Sequence, residues 1–380
     1  MAFEHIVKKI TGGAPGYSID INYYRIGPSD AVKKVYLQGA LHADEQPGIM
    51  VLHHLLLKLR EADTAGELKA QFVVFPMVNP VGMANIMFRK HQGRYHWPSG
   101  VNFNRQWPNL FEVVRDEVSD QLGDNAEANV ALIRQAVSHW LDELNASTSL
   151  EQQRRIIMRE AFDADYVLDL HCDNDALKHV FITPDLLPEF SDLSDWVGAA
   201  ATLTCADSGG ASFDEVWSGL WTKLIAAFPD KNIPHATCSA TLEYRGEFDV
   251  FDELNSKDAD NLYGFFQARG LIGGTPVAKP GKPAPKATDL AATEMLRVNQ
   301  AGLLAYKVSL GEQVEKGQLI AELIALDGEE AFIKRTPVVA GTRGVVISRN
   351  INKYVWPGCS IAKIVGEEIL ESRGTYLLED

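Results

Sequence analysis

The chain has 380 residues, 46% of them hydrophobic and 23% charged, which excludes a disordered polymer and leaves room for two folded units of roughly 100–250 residues each. Lys and Arg number 36 against 51 Asp and Glu, a net charge of −15. A surface of that sign repels phosphate backbones and anionic lipid, so neither nucleic acid nor a membrane is an expected partner.

No uninterrupted apolar run reaches the roughly 20 residues of a membrane helix, and the N-terminal MAFEHIVKKITGGAPG lacks the basic-then-apolar build of a secretory signal. Cys172, Cys205, Cys238 and Cys359 form no C-x-x-C pair and no short-range framework, the usage expected of a reducing compartment. A cytoplasmic location follows as the expectation.

In chain order, apolar segments rich in β-branched and aromatic residues predict strands over 34–37, 72–78, 166–170, 180–182 and 240–244. Between them, apolar residues at helical spacing predict helices over 48–60, 130–144 and 150–161, the first with Pro47 where an opening helical position tolerates it. Strands alternating with helices predict an α/β sheet with helices on its faces. Residues 273–289, GGTPVAKPGKPAPKATD, have no hydrophobic periodicity and read as a linker or surface strap. From 295 to 365 short apolar runs separated by glycines predict a small all-β unit. The expected division is 1–272, a catalytic unit; 273–290, a Pro-rich linker; and 291–380, a β-unit.

The chemistry-bearing residues cluster at strand ends, where open α/β sheets place their ligands. LQGALHADEQPG puts His42 and Glu45 three residues apart between a strand and a helix, close enough for both to reach one ion. Alone, the pair also reads as a helix-start histidine with a first-turn acid that favours the dipole. DADYVLDLHCDN ends a strand in His171, flanked by Asp169 and Asp173, carboxylates that could orient the second ring nitrogen of a metal-bound imidazole. Two His and one Glu make a set that catalytic zinc often uses. In GVNFNRQWP, Asn104 and Arg105 stand side by side, and Arg holds a carboxylate through a planar two-point contact. TLEYRGE places Glu243 at another strand end, where a partly buried carboxylate can serve as a general base.

His-x-x-Glu, Asn79-Pro80, Asn-Arg, a strand-final His and Thr-x-Glu, in that order, resemble the zinc carboxypeptidase superfamily, and the compact first unit with a β-rich tail resembles its succinylglutamate desuccinylase/aspartoacylase branch. The resemblance implies a zinc-carboxypeptidase-like mixed sheet flanked by helices, with a C-terminal all-β, barrel-sandwich-like domain. It implies one Zn2+ held by His42, Glu45 and His171, with Glu243 as the catalytic carboxylate and Asn104 and Arg105 binding the substrate's free carboxylate. An arginine that polarises the scissile carbonyl is implied between Asn-Pro and Asn-Arg; Arg89 and Arg94 both fit. The implied activity is hydrolysis of the amide bond of a carboxylate-bearing N-acyl amino acid, a small-molecule substrate. A peptide-directed metallocarboxypeptidase and a non-catalytic zinc-binding homologue are the alternatives, and homo-oligomerisation is left open. The tail run V-x-x-G-x-x-V-x-x-G-x-x-I over 308–320 resembles a biotinyl or lipoyl-like sandwich. The LDGEEA tip carries no lysine, so a covalent carrier is not expected, and Lys334 is expected to project to solvent from a strand-like run.

Overall fold

The computed structural model describes residues 3–276, 279–281 and 283–378. Residues 277, 278 and 282 of the expected linker, with 1, 2, 379 and 380 at the ends of the expected units, lie outside that range. Nine strands form one mixed sheet, in the order Glu4–Ile10, Ile19–Ile26, Gln71–Phe75, Lys34–Gly39, Tyr166–Asp173, Cys238–Gly246, His179–Ile182, Ala201–Thr204 and Thr288–Asp289. The four middle strands from Gln71–Phe75 to Cys238–Gly246 run parallel. His179–Ile182 turns antiparallel against the last of them.

Parallel strands need both faces covered, which is why they read as near-continuous apolar runs. Tyr36, Phe75 and Val167 face a core shared with helices Leu110–Val118, Ala126–Glu143, Ser149–Ala161 and Phe213–Ala227. Leu37, Val74, Leu168 and Leu170 face the opposite core, under helices Pro47–Thr64 and Asp252–Ala268. Pro47 opens its helix as the sequence predicts, and Thr148 with Glu151 closes a capping box on the Ser149–Ala161 helix.

The differences from the sequence reading have local causes. The strand expected over 72–78 stops at Phe75, because Pro76 has no N–H for the ladder. The two expected to end at 170 and 244 continue to Asp173 and Gly246 and pair with each other, so that His171 and Glu243 lie side by side within the sheet instead of at strand ends. The N-terminal hairpin escaped the reading because its strands are largely polar and exposed on one face. It is pinned by Glu160, which accepts from Tyr23 Oη at 2.8 Å and from Arg25 Nη2 at 2.6 Å.

Residues 293–365 form two antiparallel sheets around their own core, the β-rich tail that the glycine-punctuated runs predict. The division between the units is interleaved. Asp175–Ala176 joins a tail sheet through Ser348 and Arg349, while Thr288–Asp289, in the expected linker, edges the main sheet. Lys334 lies in the turn before the Arg335–Val339 strand, not inside a strand, and pairs with Glu330 at 3.1 Å. Among the described residues no helix is long and apolar enough to cross a membrane.

Candidate active site

His42 is delivered by a sharp exit from the Lys34–Gly39 strand, where buried Ala40 takes a left-handed backbone (φ 57°). The next turn closes with Glu45 N donating to His42 O at 3.0 Å, immediately ahead of the Pro47 helix. Asn79 of the Asn-Pro pair braces this segment, its Nδ2 donating to Leu41 O at 2.7 Å. His171 comes from the adjacent Tyr166–Asp173 strand.

The three side chains converge. His42 Nδ1 lies 2.7 Å from Glu45 Oε1 and His171 Nδ1 lies 2.6 Å from Glu45 Oε2, and one donor atom from each residue falls within 4.8 Å of the others. Both imidazoles present Nδ1 inward, and each Nε2 is backed by an oxygen: Asn102 Oδ1 accepts from His42 at 2.8 Å, and Asp169 Oδ2 sits 2.9 Å from His171. Of the two carboxylates flanking His171, only Asp169 takes the orienting place; Asp173 turns instead to Lys363 Nζ at 2.6 Å.

The electrostatics suit a cation. Burial, helped by Arg94, pushes the His42 imidazole down to about 4, keeping it neutral. Burial also opposes charge on His171, but the Asp169 and Glu45 carboxylates outweigh it and raise its proton affinity well above the usual histidine range. Two buried carboxylates beside two imidazoles therefore make a nitrogen and oxygen donor set that calls for positive charge, which fits a zinc ion.

Gly93 sets the two arginines apart in position. A Cβ there would lie 2.2 Å from Asp44 N, and Gly93 O accepts from Ala43 N at 3.0 Å. That close approach brings Arg94 to the cluster, with Nη1 donating to Glu45 Oε1 at 2.9 Å. Arg89 lies at an exposed hairpin tip.

Asn104 and Arg105 are both buried beside the cluster. Asn104 Nδ2 lies 3.3 Å from His171 Nε2 and its Oδ1 accepts from Phe213 N at 2.8 Å. Arg105 Nη1 donates to Asn104 O at 2.8 Å, and Nε donates to Tyr376 Oη at 3.3 Å. Glu243 lines the same cavity. Among the described residues its Oε2 has no hydrogen-bond partner, and burial together with Glu45 pushes its carboxyl up to about 8.

The cavity, about 840 Å³, is walled on one side by these residues and on the other by the tail, including Trp356, Lys363 and Tyr376. These tail residues escaped the sequence reading because nothing local marks them. Asn102 could have been found, since it stands two residues before Asn104 in the same NFN run.

Sheet, cluster and cavity define the class: an α/β protein with a candidate metal-binding cleft roofed by a β-rich tail. Residues 31–202 match the family model described as the succinylglutamate desuccinylase/aspartoacylase catalytic domain. Solved structures agree in fold. A family protein from Shewanella amazonensis superposes with a TM-score of 0.82 at 22% identity, covering 95% of this chain and 98% of its own. Another from Shewanella frigidimarina gives 0.82 at 19% identity, with 96% and 97% covered. The product-bound ectoine utilization protein EutE (DoeB) from Ruegeria pomeroyi gives 0.64 at 16% identity, with 95% and 94% covered. No curated protein matches the chain.

Proposed function

We propose that the chain is a zinc-dependent hydrolase that cleaves the amide bond of a carboxylate-bearing N-acyl amino acid. The observation that carries this is the convergence of His42 Nδ1, the Glu45 carboxylate and His171 Nδ1, each imidazole oriented from behind. Those three residues would hold the ion, and zinc there supplies Lewis-acid activation of the carbonyl and of water.

The chain's own groups supply the rest. Arg105 binds the free carboxylate through its guanidinium, fixing the register of the substrate, while Asn104 braces the loop and the His171 ring. Arg94, held beside Glu45, donates to the scissile carbonyl oxygen as negative charge builds there. Glu243 accepts a proton from the attacking water and returns it to the departing amine. In this reading 1–272 is a zinc-carboxypeptidase-like catalytic unit, 273–290 the strap, and 291–380 a barrel-sandwich-like unit that narrows the cleft toward small substrates. The working compartment is the cytoplasm.

The test is metal analysis with a hydrolysis screen of the zinc-loaded protein over N-acetyl and N-succinyl amino acids, their carboxamides and short peptides. One zinc per chain and turnover confined to free-carboxylate N-acyl amino acids is the expected result. No turnover of any substrate, or equal rates on acids and carboxamides, would overturn it.

A further inference from the structure

A second cavity, of about 870 Å³, lies at the other end of the strands that build the cleft. Tyr166 and Cys238 open the two strands that carry His171 and Glu243, pair with each other across the sheet, and line this cavity. His171 and Glu243 stand five residues further along each strand, a run of roughly 16 Å at about 3.3 Å per residue. The volume is within the range, roughly 300–1,000 Å³, of small-molecule pockets, which are mostly apolar with a few converging polar groups. The walls are of that kind: Val130, Leu186, Pro188 and Pro234 supply apolar surface, and Lys33, Arg134 and His235 stand among them.

These polar groups are only partly used. Arg134 Nη2 donates to Ala164 O at 3.3 Å and to Ala236 O at 3.1 Å, while its Nη1 and Nε have no acceptor among the described residues. His235 Nδ1 is likewise without a partner among them, and burial keeps that ring neutral against the pull of Asp185. One carboxylate, Asp165, answers two cations, Lys33 Nζ at 3.1 Å and Arg134 Nη2 at 3.7 Å, which leaves one positive charge in excess. Glu189 does not cancel it, because Arg269 holds that carboxylate at 2.5 Å. Glu127 and Asp185 are exposed and so stand at the rim. Open cationic donors among apolar walls favour a carboxylate on a hydrocarbon body, and acids at the rim disfavour a second negative charge. We infer that this cavity is a second ligand site, distinct from the cleft, for a monocarboxylate with an apolar body. The carboxylate sits on Arg134 and Lys33, and the hydrocarbon lies against Val130, Leu186 and the two prolines.

The test is isothermal titration of the full chain with hexanoate, hexanamide, adipate and hexyl phosphate, with far-UV circular dichroism confirming that each variant is folded. Because Arg105 in the cleft is itself a carboxylate binder in the reading above, every titration is repeated in Arg105→Met. Hexanoate should still bind there, at least about tenfold more tightly than the other three, the ratio expected from one charge-assisted contact. In the same background Arg134→Met should weaken hexanoate by at least about tenfold. Val130→Trp, which fills the cavity and leaves Arg134 in place, should abolish its binding. Hexanoate that binds nowhere, or whose binding is lost in Arg105→Met, overturns the inference. So does binding unmoved by Arg134→Met or by Val130→Trp, or hexanamide, adipate or hexyl phosphate matching hexanoate. No arm reads turnover, so the outcome is independent of what the cleft hydrolyses.

Discussion

The site is built from side chains whose partners lie behind them as well as in front. Glu243 is the case in front: its Oε2 has no donor among the described residues, it lines the cavity, and its ladder partner is His171. Replacing Glu243 by Gln keeps the shape but removes the proposed proton acceptor. The expected outcome is a kcat lower by about 10²- to 10⁴-fold with metal content unchanged; a near-normal kcat in a metal-loaded variant would give the proton transfer to another group. Asp169 is the case behind, fully buried with Oδ2 2.9 Å from His171 Nε2. Asp169→Asn should raise the metal dissociation constant about 10- to 100-fold, since it removes the charge that orients the imidazole and keeps it basic. Competition with a chromophoric chelator measures this, and an unchanged affinity would remove Asp169 from the orienting role.

At the scale of elements, the cluster depends on how closely the Pro47–Thr64 helix approaches the Tyr166–Asp173 strand. Gly48 makes that approach: a Cβ there would lie 2.9 Å from Leu170 O and 3.0 Å from Leu170 Cβ, neither the end of a flexible chain. Gly48→Ala should push the helix outward at a cost of about 1–3 kcal/mol. Glu45 precedes that helix and His171 follows Leu170, so metal affinity should fall along with the melting temperature. Differential scanning calorimetry with metal titration checks both; an unchanged pair would show that the contact relaxes freely. Two places along the sheet from the Tyr166–Asp173 strand, His179–Ile182 carries a fully buried imidazole, pushed down to about 4 by burial against a partly compensating Asp173. Above about pH 6.5 neither folded nor unfolded state binds its proton. As pH falls from there toward 4 only the unfolded chain does, so stability is lost across that window, by up to roughly 3 kcal/mol. Urea midpoints against pH for the wild type and His179→Gln should show a shallower fall in the variant if this imidazole contributes as described.

At the scale of the molecule, the tail is joined to the nine-stranded sheet by exchange. Asp175–Ala176 pairs with Ser348 and Arg349, Arg349 Nη2 donates to Asp175 Oδ2 at 2.7 Å, and a small core mixes Leu203 with Leu290, Ile347 and Leu377. Lys363 extends this union into the cleft. Burial would raise the Asp173 carboxyl, but the Lys363 ammonium outweighs it and holds it well below the usual carboxylate range. Lys363→Met should cost about 3 kcal/mol by leaving that carboxylate buried without its cation. A single unfolding transition at lower temperature is expected by calorimetry. Two separate transitions would show instead that the tail and the sheet unfold independently.

The order of strands and helices, the opening of the first helix at Pro47, the β-rich tail and the residue types of the cluster are written in local pattern, because periodicity, proline and strand-end chemistry act between near neighbours in sequence. His42, Glu45, His171, Glu243, Asn104 and Arg105 could all be singled out that way. That His171 and Glu243 stand side by side within the sheet, and that Asp169 and not Asp173 backs the imidazole, follow from strand register. Register is fixed by partners elsewhere in the chain. The sequence left Arg89 and Arg94 equal; Gly93 packed against Asp44 brought one to the cluster and left the other on an exposed turn. Lys363, Trp356 and Tyr376 carry no local signature at all. They reach the cleft only because the tail folds back onto the sheet, through contacts between residues far apart in sequence that no window along the chain contains.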